Sequence, residues 1–461
     1  MNPSFNVISS SEWSKLNADQ YFTKETDIEK IILVSEVFKD IEILSTNKPD
    51  LAHAIFWDFK NTFFDKYPNY DGAMAKLILE YDRLIQTKTN KFIPSSVISN
   101  KWLFIEFINK ISQCLIGIIL FLCVNNRKTI RNIFLIISIN VGVLATVGIL
   151  QKLNYVSSED QLEIFGIWDT PEPRYFFSSF TYKNHWSAFA LMGLCTISGL
   201  LIDSYRRHGK SFTRIASNFF LFISMLSIVV SIPLSGSRSG TILMTFSFIL
   251  LTFITLSFLK VLSLKVVFIF SSIIFLGVIL LINFINIINK DTTHEMANNF
   301  KSQYEEISNG KLPLRFLLWK DLLEQIKKRP IYGFGFNSYK TINPIYQSVE
   351  VRDMRRIVLK AAHKKYTPLV GTAHNDWLEK ISEFGLLGLV IVCPYLYFIF
   401  FQFLKSKSLL AKFGLTGCII FLIYAFGDFP SQTPACLMLF SALVGLALKY
   451  SSLSHKKVLV Q

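Results

Sequence analysis

Charged residues are scarce in this chain, and acidic side chains are scarcer than basic ones. Only 18% of the 461 residues are charged, with 33 acidic against 48 basic side chains. Hydrophobic residues make up 51%, and 43 positions are Phe, so the mean hydropathy reaches +0.39. A soluble chain of this length is not so apolar, and the composition therefore indicates a polytopic membrane protein.

Cysteine is also rare, and none of it lies in a polar segment. The six positions are Cys114, Cys123, Cys195, Cys393, Cys418 and Cys436. Because all of them fall in apolar stretches, the connecting loops offer neither disulfides nor cysteine ligands for zinc. We expect small, buried, apolar side chains at these positions.

Long apolar runs predict an all-α fold with about nine transmembrane helices. Crossing about 30 Å of hydrocarbon takes about 20 residues. Suitable runs cover approximately 102–124, 130–150, 186–202, 219–234, 241–259, 266–288, 384–404, 413–426 and 434–448. We divide the chain into a polar N-terminal segment (1–101), six membrane helices (102–288), a large loop (289–383), three membrane helices (384–450) and a tail (451–461).

Basic residues in alternate short connections predict the orientation, since Lys and Arg are retained on the cytoplasmic side. The basic connections lie near 127–131, 206–214, 260–265, 405–412 and 449–457. The acidic connection at 159–172, the turn at Arg238, the long loop and Asp428-Phe-Pro430 then face outward. We expect a cytoplasmic C-terminus. Much of the +15 formal charge is thus a topology signal, and nucleic acid is not an expected partner.

The first hundred residues contain neither a signal peptide nor a spanning run. Residues 28–44 alternate charged and apolar side chains at intervals typical of an amphipathic surface helix. Two interpretations remain: the first span carries a long tail outward, or early spans precede this segment. We favour the second.

The long loop carries a helix with an arginine in its first turn. Pro313 suits a helix start, Leu314, Leu318 and Leu322 recur at helical spacing, and Arg329-Pro330 ends the pattern. Free N–H groups at a helix start attract anions, so Arg315 can form a phosphate clamp there. The alternative is an ion pair with a nearby glutamate or a lipid headgroup. Tyr332-Gly-Phe-Gly335 reads as a tight turn in which the backbone passes close to another group.

His374 precedes a helix that we expect to start near Asn375 and to continue into the next span. An imidazole accepts a proton near neutral pH when a neighbour orients it. Asp376, Glu379 and Glu383 are possible orienting partners, and the sequence does not choose among them. A merely solvated histidine is the alternative.

Two further clusters lie on the same predicted outer side. Arg238, in Ser235-Gly-Ser-Arg-Ser-Gly240, stands at the mouth of two spans, where it either binds a ligand or extends to lipid headgroups. Arg174 and the segment Lys183-Asn184-His185 stand in an aromatic-rich connection. An aromatic belt explains the rings, while the polar residues suggest contact with a polar ligand.

A basic run at 346–366 has two interpretations. It contains Arg352, Arg355, Arg356, Lys360, Lys364 and Lys365. We expect a solvated basic face, with contact to an anionic acceptor as the alternative.

The combined motifs resemble the bacterial O-antigen ligase and polymerase family. The resemblance rests on Ser-Arg-Ser-Gly, on Arg-x-x-x-Trp followed by Gly-x-Gly, and on His-Asn-x-x-Leu-Glu before Glu-Phe-Gly-Leu-Leu-Gly. Lys-Asn-His-Trp-Ser-Ala-Phe at 183–189 resembles that family's Asn-His-x-x-Ala motif. Members usually have about twelve spans, so the early ones are absent here.

The resemblance implies a GT-C-like glycosyltransferase of the bacterial inner membrane that takes part in lipopolysaccharide or other surface-polysaccharide biosynthesis. Such an enzyme transfers a glycan from an undecaprenyl-pyrophosphate donor to an acceptor hydroxyl. By this resemblance Arg238 and Arg315 bind the pyrophosphate, His374 activates the acceptor, and the reaction inverts the anomeric carbon. Two guanidiniums can replace a divalent metal, and no Asp-x-Asp occurs in the chain, so we expect no metal and no cofactor.

The resemblance also implies substrate contacts for Lys183, Asn184, His185, Arg174, Asn375 and Glu379. The acceptor is a glycolipid, a glycan or a protein. Alternatives within the superfamily are a repeat-unit polymerase and a protein O-oligosaccharyltransferase. A lipid-linked glycan flippase is the non-enzyme alternative, but flippases carry charges within their spans or show repeated halves, and this chain has neither.

Overall fold

The computed structural model describes most of the chain from residue 100 onward. The described residues are 55–61, 100–153, 163–164, 168–169, 175–261, 263–288, 312–361 and 370–456, with single positions at 298, 301, 305 and 308. Two predictions, the surface helix at 28–44 and a ligand contact at Arg174, lie outside these residues.

Helices form nearly all of the described structure. The membrane-type helices are α1 (Asn100–Cys123), α2 (Arg127–Leu153), α3 (Lys183–His208), α4 (Ala216–Leu234), α5 (Arg238–Phe258) and α6 (Leu264–Ile288). The loop helices are α7 (Leu314–Lys328), α8 (Tyr339–Tyr346) and α9 (Val349–Ala361), and then follow α10 (Asp376–Lys405), α11 (Leu409–Tyr424) and α12 (Pro434–Lys456). Short 3-10 helices cover Gly209–Arg214 and Pro430–Gln432, and a two-residue β1 (Glu163–Ile164) pairs antiparallel with β2 (Trp168–Asp169).

The predicted membrane class is confirmed. Within the described part of the chain, eight helices are long and apolar enough to span a bilayer. The remaining predicted span, at 413–426, corresponds to α11, whose 16 residues are apolar but shorter, about 24 Å. It begins at Leu409, before the predicted residue 413, because Ser408 caps its start by accepting a hydrogen bond from Ala411 N at 3.4 Å.

The chain divides into two compact units. The first unit contains Met1–Asn109 and Gly310–Cys393, and the second contains Lys110–Asn309 and Pro394–Gln461. Residues 310–383 of the long loop therefore belong to the first unit, together with the first half of α10.

α3 forms the centre of the second unit. Every residue from Asn184 to Leu201 is buried, although α3 contains many small and polar side chains. Small residues let neighbouring helices approach: a Cβ at Gly193 would collide with Val141 of α2, and one at Gly199 would collide with Phe413 of α11. By contrast α6 turns large apolar side chains outward, with Phe268 74% and Ile287 77% exposed. Surface of that kind is expected to contact lipid.

The first unit has its own small core. Leu317 and Leu318 of α7 pack on Val351 of α9, while Leu322 packs with Tyr339 and Ala373. These contacts place α7 against the segment that precedes α10.

Two arginines of the predicted basic face are buried, so the solvated interpretation is wrong for them. Arg352 is 5% and Arg355 8% exposed. Arg352 donates to the backbone oxygen of Gln347, and Arg355 Nη1 donates to Gln347 Oε1 at 2.6 Å. Burial pulls the pKa of Arg355 below its usual range, while Asp58 acts in the opposite direction. These side chains brace α9 instead of forming a solvated surface.

The helix α10 is broken at Gly385, where φ is 62° and ψ is −163°. The break frees backbone groups, and residues 330–335 satisfy them. Leu386 N and Leu387 N donate to Pro330 O and Ile331 O at 2.7 and 3.1 Å.

In the other direction, Phe334 N and Gly335 N donate to Ser382 O and Glu383 O at 2.9 and 2.8 Å. A Cβ at Gly333 would strike the Glu383 carbonyl, and one at Gly385 would strike that of Ile331. The predicted close approach at the Gly-Phe-Gly turn is therefore confirmed, and the approaching group is the backbone of α10.

Candidate functional site

His374 lies in a short segment just before α10, in a backbone conformation that is uncommon for a residue with a side chain. Its φ is 53°, in the left-handed region, which costs about 1–2 kcal/mol for an L-residue other than glycine. Such strain persists where surrounding contacts hold it, and it concentrates at functional sites. The Nδ1 atom of His374 is shielded from solvent.

Two side chains predicted to contact substrate hold the backbone on either side of His374. Asn375 caps α10, since its Oδ1 accepts a hydrogen bond from Leu378 N at 3.0 Å. Glu379 reaches back, and its Oε2 accepts from Ala373 N at 3.1 Å. Both are buried, with 4% and 3% exposure. The residues before and after His374 are thereby fixed to the first turn of α10.

The α7 helix supports the same segment. As predicted, it begins after Pro313 and ends at Arg329, so Arg315 lies in its first turn. Trp319, one turn further along, donates from Nε1 to Ala373 O at 2.9 Å. The backbone of Ala373 is thus bound on both sides: its N–H donates to Glu379 of α10, and its carbonyl oxygen accepts from Trp319 of α7. Arg315 and His374 belong to adjoining parts of the first unit.

Buried polar groups lie beneath this segment. Tyr339 packs against Ala373, and burial raises the pKa of its hydroxyl. The nearby carboxylates of Glu379 and Asp321 raise that pKa further. Asp321 accepts hydrogen bonds from Ser348 N at 3.0 Å and Ser348 Oγ at 3.2 Å. Burial nevertheless raises the pKa of the Asp321 carboxyl above its ordinary value, and the Ser348 bonds oppose that rise.

A second cluster occupies one end of the second unit. Asn184 Nδ2 donates to Asp428 Oδ2 in the connection between α11 and α12, and also to the Tyr182 hydroxyl at 3.0 Å. His185 Nδ1 lies 2.6 Å from Thr433 Oγ1, and Cys436 donates from Sγ to the backbone oxygen of His185. The Lys-Asn-His segment is therefore held by a connection more than 200 residues away in sequence.

Aromatic rings enclose that contact. Phe429 stacks on Tyr182, with ring centroids 5.3 Å apart, and meets His185 edge to face at 4.7 Å. The Asn184 and His185 side chains are buried, whereas Lys183 at the start of α3 is only half-buried. Of the three residues, Lys183 is the one with an accessible charge.

Arg238 is the first residue of α5 and lies at the same end of the second unit. Ser237 caps α5 by accepting from Gly240 N at 3.2 Å. The Tyr424 hydroxyl lies 3.0 Å from Ser237 Oγ and accepts from Ser239 Oγ at 3.2 Å. The residues before and after Arg238 are thus both hydrogen-bonded to Tyr424. Arg238 itself remains half-buried.

The two helix starts are packed side by side. Ser187 in α3 lies 3.4 Å from Ser235 Oγ, and a Cβ at Gly240 would collide with Ser187. The structure therefore brings Lys183 and Arg238, each in a first helical turn, to neighbouring positions. Helix N-termini carry partial positive charge, so this end of the second unit suits an anionic ligand.

Asp428, Tyr424 and Thr433 are site residues that the sequence interpretation missed. A usable signal existed, because Asp428 is an acidic residue at the edge of a span, a position where ionisable groups are costly and often functional. Its fully buried carboxylate is bound by Asn184 and by Phe429 N at 3.0 Å.

The predicted site residues thus fall into two sets. Arg315, His374, Asn375 and Glu379 are in the first unit, and Lys183, Asn184, His185 and Arg238 are in the second. Across the described ranges no group of three His, Cys, Asp or Glu side chains is arranged to hold a metal ion.

The central part of the chain matches a known protein family. The family model described as O-antigen ligase matches residues 222–393, which include Arg238, Arg315 and His374. This segment is therefore similar to the O-antigen ligase family. An uncharacterized protein of Haemophilus influenzae is 31% identical over 96 residues, which cover 20% of this chain and 21% of that protein. The chain thus spans about a fifth of the curated relative it matches.

Proposed function

We propose that this protein is a membrane glycosyltransferase that moves a glycan from an undecaprenyl-pyrophosphate donor to an acceptor hydroxyl, as an O-antigen ligase does. The observation that carries the proposal is His374, held in a left-handed conformation by Asn375, Glu379 and Trp319 inside the segment matched to the family. Solvation alone does not account for a histidine whose backbone is strained and braced in this way.

The proposed role of His374 is general base. It accepts the proton of the acceptor hydroxyl as that oxygen forms a bond to the anomeric carbon. The bond from the anomeric carbon to the pyrophosphate oxygen breaks, and undecaprenyl pyrophosphate leaves with the electron pair. Attack from the face opposite the leaving group inverts the anomeric configuration.

Arg315 and Arg238 are the proposed pyrophosphate-binding groups. Each stands in the first turn of a helix, where partial positive charge adds to that of the guanidinium. Negative charge grows on the leaving pyrophosphate, and fixed guanidiniums stabilise it without a divalent metal. Lys183 is a further phosphate contact, while Asn184, His185 and Asp428 hold the start of α3 in place. Asn375 and Glu379 position His374.

Transfer by the purified full-length protein in proteoliposomes tests the proposal. We expect product from a lipid-linked glycan and a glycolipid acceptor, with activity retained in excess chelator. Arg315→Gln should lower the rate at least tenfold. Lys320→Gln, which removes an exposed charge from the next turn of the same helix, should leave it unchanged. Complete loss in chelator that Mg²⁺ restores would refute the metal-free mechanism.

A deletion strain distinguishes a ligase from a polymerase. Accumulation of full-length lipid-linked polymer indicates a lost ligase, which is the outcome we expect, whereas accumulation of single repeats indicates a lost polymerase.

Alkaline phosphatase fusions test the proposed extracytoplasmic face. A fusion at Glu350 should be active and one at Lys210 inactive, and the reverse pattern would overturn the orientation.

A further inference from the structure

A basic pocket of about 740 Å³ opens at the end of the second unit that lies opposite Lys183 and Arg238. Its charged lining consists of Arg127, Lys128, Arg131, Arg206, Arg207 and Asp203. Arg206 is 23 residues after Lys183 along α3, so the pocket is about 35 Å from the proposed phosphate contacts. It is therefore distinct from the site described above.

The charge in this pocket is not balanced by the protein lining it. Five cations face one carboxylate, and Asp203 already pairs with Arg207 at 3.1 Å. The neighbouring residues 451–456 add His455 and Lys456 to the sequence and no acidic side chain. The pocket thus holds an excess of positive charge.

Helix stability accounts for only part of this excess. Arg206 and Arg207 lie in the last turn of α3, where they offset the partial negative charge of a helix C-terminus. Arg127, Lys128 and Arg131 lie in the first two turns of α2, where the helix already carries partial positive charge. Cations there are unfavourable for the helix itself, so an anion bound at the start of α2 would stabilise it.

Arg127 is held for such a contact. Its guanidinium stacks over the Tyr450 ring, 4.5 Å from the centroid, and this contact fixes the orientation of the guanidinium plane. Its Nε is buried and makes no hydrogen bond to any part of the chain that the structure describes. A buried N–H of a charged group is costly without an acceptor, and a phosphate oxygen is the acceptor that a guanidinium matches best.

The position of the pocket identifies the source of the phosphate. It is formed where α1 and α12 end and α2 begins, which is the level of lipid headgroups if these helices span the bilayer. Apolar surface adjoins it, with Leu453 in the lining and Leu122 of α1 63% exposed. This end is also the one that the basic connections assign to the cytoplasm, where anionic lipids are abundant and basic pockets between helices bind their headgroups.

We propose that this pocket binds the phosphate headgroup of an anionic phospholipid, with Arg127 and Arg131 as its principal contacts. The acyl chains then lie along the neighbouring apolar surface. Phosphatidylglycerol, a monoanionic phosphodiester, is the probe of choice because phosphatidylcholine offers a similar size and the same phosphate without net charge.

Native mass spectrometry of the full-length protein in detergent tests the proposal. We expect phosphatidylglycerol to bind at least tenfold more tightly than phosphatidylcholine, and Arg127→Gln/Arg131→Gln to abolish that preference. Arg214→Gln/Lys265→Gln is the matched control, since it removes two exposed cations at the same end of the bundle but outside the pocket. Equal loss in both double variants, or in neither, would overturn the assignment.

Two experiments on the unaltered protein test the proposal even if the double variant fails to fold. A phosphatidylglycerol with a photoreactive headgroup should label peptides containing 125–131 or 203–207, and labelling confined to other peptides refutes the pocket. Inorganic phosphate at millimolar concentration should not displace the lipid. Full displacement would show that a soluble phosphate, not a lipid, is the ligand.

Discussion

Two substitutions of His374 distinguish a catalytic role from a structural one. They do so because the strain lies in the backbone, whereas the proposed catalytic group is the side chain. The φ of 53° is unfavourable for every L-residue but not for glycine. His374→Ala removes the imidazole and keeps the backbone strain, whereas His374→Gly removes both. Lys260, at φ 58° in an exposed turn after α5, has the same strain outside the candidate site, and Lys260→Gly is the control.

The expected magnitudes follow from these demands. Glycine relieves about 1–2 kcal/mol of left-handed strain. Glycine also raises the entropy of the unfolded chain, which costs about 0.5–1 kcal/mol of stability, so the net gain is about 0–1.5 kcal/mol. Loss of a general base lowers a rate by about 10²–10⁴, which is about 3–5 kcal/mol in the barrier. The change in rate is thus much larger than the change in stability, and for glycine the two effects have opposite signs.

The assay combines thermal unfolding in detergent with glycan transfer in proteoliposomes. We expect both His374 variants to lose at least 100-fold in rate, with His374→Gly at least as stable as the unaltered protein. Lys260→Gly should gain similar stability and keep full activity. If His374→Gly transfers glycan at more than a tenth of the normal rate, the histidine is not the base, and its strain has another cause.

Three further predictions concern the surroundings of the site. Gly385→Ala should lower the unfolding temperature, since the positive φ alone costs about 1–3 kcal/mol for alanine. The control Gly277→Ala, in an open part of α6, should be neutral or stabilising. Equal melting curves for the two variants would contradict the break in α10. Asp428→Ala leaves the buried Asn184 amide without its carboxylate and should destabilise by about 1–3 kcal/mol and reduce transfer, so unchanged transfer would remove this pair from the site. Asp321→Asn should stabilise the protein at pH 7, because a carboxyl whose pKa is raised by folding opposes folding when it is ionised. The gain in stability should disappear as the pH falls below the ordinary aspartate range. A gain that does not change with pH would argue against the raised pKa.

Features that depend on neighbouring residues were predictable from the sequence. Apolar runs placed the membrane helices, and helical spacing between Pro313 and Arg329 placed α7 with Arg315 in its first turn. His374 before α10 followed from the same local pattern. These predictions succeed because hydrophobic periodicity and helix start signals act within one or two turns.

Contacts between distant segments were not predictable. Asn184 meets Asp428 across 244 positions, and neither residue type specifies the other as its partner. The break in α10 at Gly385 depends on backbone groups of residues 330–335, and the burial of Arg352 and Arg355 depends on Gln347. The sequence by itself determined the membrane class, the helices and the residues capable of the chemistry, since each depends on local composition. Tertiary structure alone decided which polar groups brace His374 and which hold the start of α3, because a buried hydrogen bond forms only where packing brings donor and acceptor together.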